Sequence, residues 1–239
     1  MGLITEINED EVPSEIPAHS RVMEDLRIDR CCGDGNSVKE VSVTSALSPE
    51  CILNGSAVGE FVQQPLIPTD WERSSLFELA SHIVNKHHVF TRTELDRLEP
   101  LLLRVVSAHA HNHSELPIIQ DLFTELKREL LVHMLKEERV LFPYLVEMEE
   151  AEKNGTANPV PFFGTVRNPI QVMLIEHDRA AELLRAIRKG TDGFSVPEDG
   201  CPSFRALYSG LAALDEDLRK HILLENDILF RRAVKIESL

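Results

Sequence analysis

His133-Met-Leu-Lys-Glu137 and His221-Ile-Leu-Leu-Glu225 repeat one pattern, a histidine followed four residues later by a glutamate. On a helix, residue i+4 lies one turn along the same face, so each pair sets an imidazole beside a carboxylate. Each pair also interrupts an apolar stripe. Leu122, Leu126, Leu130, Val140 and Leu141 flank the first at spacings of three and four, and Leu207, Leu211, Leu214, Leu218 and Ile228 flank the second. Such spacing marks the buried face of an amphipathic helix. Histidine and glutamate therefore stand where the pattern asks for leucine. Taken alone, either pair reads more readily as a solvated i,i+4 pair at a helix edge. Two pairs together argue for a shared purpose, because a carboxylate buried without a partner is strongly unfavourable.

Two more stripes carry one histidine each. Ile83, Val84, His88, Thr91 and Leu95 share a face, and so do Ile170, Met173, Leu174, His177, Leu184 and Ile187. His88, His133, His177 and His221 recur at near-equal intervals, each about the contour of one helix and its return loop. The chain is thus expected to be all-α, an antiparallel four-helix bundle with the histidines at similar heights. Ser75-Leu-Phe-Glu78 reads as a capping box opening the first helix. The second is expected over roughly 116–142, weakened at Phe142-Pro143. Asn168-Pro169 reads as the cap of the third, which stops at Gly190.

Residues 1–64 carry no long helical stripe and are expected to form a small, separate N-terminal helical domain around Cys31-Cys32. Residues 65–74, opening Pro65-Leu-Ile-Pro68, read as a linker, and 75–239 as the bundle. A net charge of −15 argues against nucleic acid or an anionic membrane as partner. No run approaches the length of a membrane span, and the acidic N-terminus lacks the basic opening of a secretory signal. Four cysteines are too few and irregular for a disulfide framework. A soluble, cytoplasmic protein is the expectation.

Four imidazoles and two carboxylates, without thiolate, disfavour structural zinc. They suit a pair of cations that share carboxylates, with iron the best fit and manganese an alternative. Ferritin-type bundles use Glu-x-x-His; here the order is His-x-x-x-Glu, a different class.

On these residues the chain resembles a hemerythrin-like domain over 75–239. Over its full length it resembles the iron–sulfur cluster repair di-iron proteins, also called regulators of cell morphogenesis and nitric oxide signalling. The carrying segments are Ile28-Asp-Arg-Cys-Cys-Gly33, His82-Ile-Val-Asn-Lys-His-His88, the run from His133 to Pro143, Glu176-His-Asp178 and the run from His221 to Phe230. The resemblance implies His88, His133, His177 and His221 as ligands of two iron ions, with Glu137 and Glu225 as bridging carboxylates and an oxo bridge expected. It does not say which histidines serve which iron. It implies repair of iron–sulfur proteins damaged by nitric oxide or peroxide, by supplying iron, more as a donor than as an enzyme. The alternatives are a nitric oxide or peroxide reductase and a dioxygen or redox sensor. A homodimer is left open.

Oxygen-carrying hemerythrins place a second histidine one turn beyond the third-helix ligand. Here that position is Ala181, which implies under-coordinated, exchangeable iron. Cys31 and Cys32 read as a redox dithiol, a metal-transfer pair or two small buried residues; Arg30 beside them would favour thiolate. Glu129 and Glu176 are candidates to orient imidazoles or line an iron exit, or else ordinary acidic surface. His87 is expected to lie about 100° off the face of His88. His82 reads as a surface or supporting group, and His109-Ala-His-Asn-His113 as a solvated turn.

Overall fold

Ser75 starts the first helix as the capping box requires. Its hydroxyl accepts from the Glu78 N–H at 3.0 Å, and the Glu78 carboxylate accepts from the Ser75 N–H at 2.8 Å. The computed structural model describes residues 70–238; the expected N-terminal domain, and the linker up to residue 69, lie outside them. Among the described residues there are four long helices and no strand. Helix α1 runs through Leu76–His82, Ile83–His88 and Val89–His109. Helix α2 runs through Leu116–Lys136, Glu137–Leu141 and Phe142–Asn154. Helix α3 is Arg167–Gly190, and α4 runs through Pro202–Leu223, Leu224–Leu229 and Phe230–Glu237. Helix α2 packs along α3 and α1 along α4, while α1–α2 and α3–α4 contacts close the four-helix ring.

The middle segments of α1, α2 and α4 are π-helical turns. Such turns insert an extra residue and recur at functional sites. They explain three departures from the sequence reading. Helix α2 does not end at Pro143. The Phe142 N–H reaches five residues back to the Glu137 carbonyl, and this wider turn carries the helix past the proline to Asn154. On α4 the extra residue shifts the register after Glu225, so Leu229 is buried and Ile228 only half-buried. On α1 the wide turn brings His87 inward along with His88.

The N-cap of α3 is also displaced. Its helix begins at Arg167, while the Asn168 side chain donates to the Phe163 carbonyl at 2.8 Å. The first turn is tied instead to the far end of the chain, where Glu237 accepts from the Val166 N–H at 2.6 Å. Glu149 does the same for α1, accepting from the Leu76 N–H at 2.8 Å. Both carboxylates satisfy helix donors that have no partner within their own helix.

The core is divided. One apolar layer includes Leu95, Leu98, Leu130, Met134, Leu184, Leu211 and Leu218. The other includes Ile83, Leu141, Phe142, Met173, Leu229 and Phe230. The polar groups meet between them. No described helix is long and apolar enough to cross a membrane.

Candidate metal centre

All six side chains expected to ligate metal lie in the level between the two apolar layers. Helix α1 supplies His88, α2 His133 and Glu137, α3 His177, and α4 His221 and Glu225. Both glutamates are 0% exposed and none of the four histidines exceeds 4%. The wide turns sit at the carboxylates: Glu137 opens one and Glu225 is the second residue of another.

The side chains fall into two overlapping groups, His88–Glu137–His221–Glu225 and His133–Glu137–His177–Glu225. In each, the potential ligand atoms all lie within 4.8 Å of one another. The Nε2 atoms of His88 and His221 are 3.2 Å apart, and those of His133 and His177 are 3.0 Å apart. Each carboxylate spans both pairs. Glu137 places Oε2 3.4 Å from His88 Nε2 and Oε1 3.3 Å from His133 Nε2. Glu225 places Oε1 2.9 Å from His221 Nε2 and Oε2 3.0 Å from His177 Nε2. The pairing of histidines, left open by the sequence, is thus legible in the geometry.

This arrangement is poorly satisfied by protein alone. Neither oxygen of Glu137 receives a hydrogen bond from the described residues, although both are buried. Burial, and then the neighbouring Glu225 carboxylate, push the Glu137 carboxyl well above its ordinary range. Burial acts on Glu225 in the same sense, but His221 and His177 outweigh it and hold that carboxyl well below. Two carboxylates so close cannot both ionise without a compensating charge. Burial pushes His88 down to about 4 and lowers His133, favouring the neutral imidazole that a metal requires. On His177 burial is outweighed by Glu225, and its value rises. Convergent lone pairs, buried carboxylate oxygens without donors and a nitrogen–oxygen donor set fit cations shared between the two groups.

The outward Nδ1 atoms of three histidines have acceptors. His88 faces Glu138 at 2.7 Å, His133 faces Glu176 at 2.9 Å and His177 faces the Asn226 side-chain amide oxygen Oδ1 at 2.8 Å. Hydrogen bonds of this kind fix the ring and direct the Nε2 lone pair inward. Arg92 holds Glu138 at 2.8 Å, and Lys136 is bonded to Glu176.

Residues 79–233 match the family model described as the hemerythrin HHE cation binding domain. The chain is 32% identical over 224 residues to iron–sulfur cluster repair protein YtfE of Enterobacter sp. (strain 638), covering 94% of both chains. The YtfE protein of Escherichia coli O157:H7 shows the same identity and coverage, and that of Citrobacter koseri is 31% identical over the same length. The chain belongs to the hemerythrin HHE family, among the iron–sulfur cluster repair proteins.

Within this hemerythrin-type bundle, the sequence signalled Glu176 but not Glu138 or Asn226. Each of the missed residues directly follows a glutamate of the cluster, and that adjacency was the available signal. Glu129 makes no bond to a site imidazole. It and Glu176 line both a small internal cavity and an outer cleft. The cavity, about 10 Å³, touches His133, His177 and His221 and is otherwise walled by Leu130, Ala180, Leu218 and Ile222. The outer cleft, about 390 Å³, adds Arg128, Val132, Lys136, Ile175 and Arg179. Ala181 itself is half-buried.

His87 corrects the sequence reading. It is buried, its Nδ1 lies 3.0 Å from both Asp217 oxygens, and its ring runs parallel to His221 with centroids 5.7 Å apart. His82 is half-buried between Trp71 and His87. His109 closes a helix and is buried with its Nε2 3.3 Å from Cys201 Sγ, so only the residues after it form the expected turn. Cys31, Cys32 and Cys51 lie outside the described residues.

Proposed function

We propose that the chain holds two iron ions, one at His88 and His221 and the other at His133 and His177, with Glu137 and Glu225 shared between them. We propose further that it helps repair iron–sulfur proteins damaged by nitric oxide or peroxide, acting in the cytoplasm by supplying iron. One observation supports this most: two four-ligand groups that share both buried carboxylates. The names of the relatives support the repair role.

Iron in this reading is cargo as well as occupant. The four imidazoles are terminal ligands, and the two glutamates neutralise charge between the positions. Glu138, Glu176 and Asn226 hold three imidazoles in orientation through Nδ1. The apolar layers above and below enclose the site at its two ends. Ala181 leaves one further ligand out, which suits release. Cys31 or Cys32 receives the iron or supplies reducing equivalents.

A second reading, reduction of nitric oxide or peroxide, is favoured by the internal cavity beside His133, His177 and His221. Its volume admits about one water-sized molecule. Dioxygen or redox sensing would use the same opening. The deciding experiment combines metal analysis and iron spectroscopy of anaerobically purified protein with recovery of a nitric-oxide-damaged cluster enzyme. Two iron ions per chain and recovery matched by iron loss support donation. Catalytic nitric oxide consumption without iron loss supports the second reading.

A further inference from the structure

The four histidines differ in one respect that their distances to the carboxylates conceal. Three have an acceptor on Nδ1. His221 does not: its Nδ1 is buried and has no partner among the described residues. The carboxylate best placed by sequence to serve it is Asp217, one turn earlier on α4. Both Asp217 oxygens are taken up by Nδ1 of His87, at 3.0 Å. The His221 ring lies instead against the His87 ring, with planes 9° apart. The ring is held through Nε2 by Glu225, and no acceptor holds it from the Nδ1 side.

We infer that the two iron positions are unequal, and that the His88–His221 position gives up its iron first. This rests on the di-iron reading above. A ligating imidazole that donates its second N–H to an acceptor is oriented and made more basic, and removing such a partner lowers metal affinity about 10- to 100-fold. Both imidazoles of the His133–His177 position have that support, from Glu176 and Asn226. The His88–His221 position has it on His88 alone, from Glu138. The shared glutamates cannot create the difference, because each sends one oxygen to each pair. Access and the alanine at 181 act the other way: the internal cavity touches both His133 and His177 but only His221 of the other pair, so the inference is that the Nδ1 support outweighs them. One iron is therefore given up early, while the later one still joins α2, α3 and α4.

The test uses the full-length protein loaded with iron, after two ions per chain have been measured. Crystals are soaked in EDTA for graded times, and anomalous scattering at the iron edge reports the occupancy of each position. Occupancy at His88–His221 should fall roughly tenfold faster, the lower end of the range above. Asn226→Ala removes the acceptor on His177 and should speed loss from the other position by a similar factor, so that the two rates converge. Synchronous loss in the unaltered protein, or earlier loss at His133–His177, overturns the inference while leaving the di-iron reading intact. A folded Asn226→Ala protein whose rates stay as far apart also overturns it. Failure to hold two ions at the outset overturns both readings. Should Asn226→Ala not fold, the unaltered protein alone decides.

Discussion

Glu138 Oε1 lies 2.7 Å from Nδ1 of His88, on the opposite side of that ring from the neighbouring Glu137. Two adjacent glutamates thus grip one imidazole from its two nitrogens. Glu137 stands where a cation would be shared, and Glu138 orients the ring while Arg92 holds Glu138. Glu138→Ala should keep the bundle folded and weaken iron binding about 10- to 100-fold, the usual effect of losing such a support. Chelator competition measures it. Unchanged affinity would make Glu138 an ordinary surface carboxylate.

The shared carboxylates should matter more than any single imidazole. Glu137→Ala and Glu225→Ala each remove an oxygen from both positions, whereas His88→Ala removes one ligand from one position. Iron per chain after desalting should therefore be lower in the two glutamate variants than in His88→Ala. Near-normal iron in all three would show that none of them binds metal.

The same glutamate should destabilise the metal-free protein. Glu137 is fully buried and neither oxygen receives a hydrogen bond from the described residues. Leaving such a group unsatisfied costs about 1–3 kcal/mol. Glu137→Met keeps most of the volume and removes the polar atoms. The metal-free variant should therefore unfold at higher denaturant than the metal-free parent, by about that energy, and should have lost its iron. A less stable metal-free Glu137→Met protein would mean that Glu137 has a structural partner.

The four helices and all six cluster residues were readable because leucine spacing is periodic and His133, Glu137, His221 and Glu225 break it in phase. The histidine pairing was not readable. It depends on how four helices close into a ring, and i,i+4 spacing is silent on that. The π turns were hidden for a different reason. Each adds one residue to a turn without any proline or glycine to mark it, so Ile228 was read as inward where Leu229 is, and His87 as off the face. Pro143 misled in the opposite direction. A proline breaks an α-helix because a carbonyl four residues back loses its donor, and the wide turn just before it changes which residues pair.

The boundary near the Pro65–Pro68 linker makes a separate claim. The family match begins at residue 79, and α1 has its own cap at Ser75 and its own tie to Glu149. Residues 70–239 should fold alone, give a helical circular dichroism spectrum and bind as much iron as the full chain. Insoluble or iron-free product, with the full chain normal, would make the N-terminal segment part of the bundle core.

The last prediction separates donation from reduction. Side chains on a helix tilt toward its N-terminus, so an imidazole at position 181 would point back toward the level of His177. That position is half-buried. Ala181→His should therefore slow transfer to a chelator of the later iron, the one at His133–His177, because a further metal–nitrogen bond must break there. If that iron is cargo as well, the variant should also complete repair of a nitric-oxide-damaged cluster enzyme more slowly. Cys31→Ala/Cys32→Ala should keep its iron yet lose repair if those thiols carry the metal onward. Chelator-trapped iron and recovered enzyme activity can be followed in one reaction. Slower iron release with unchanged repair would remove donation as the mechanism, and nitric oxide reduction at the same cavity would take its place.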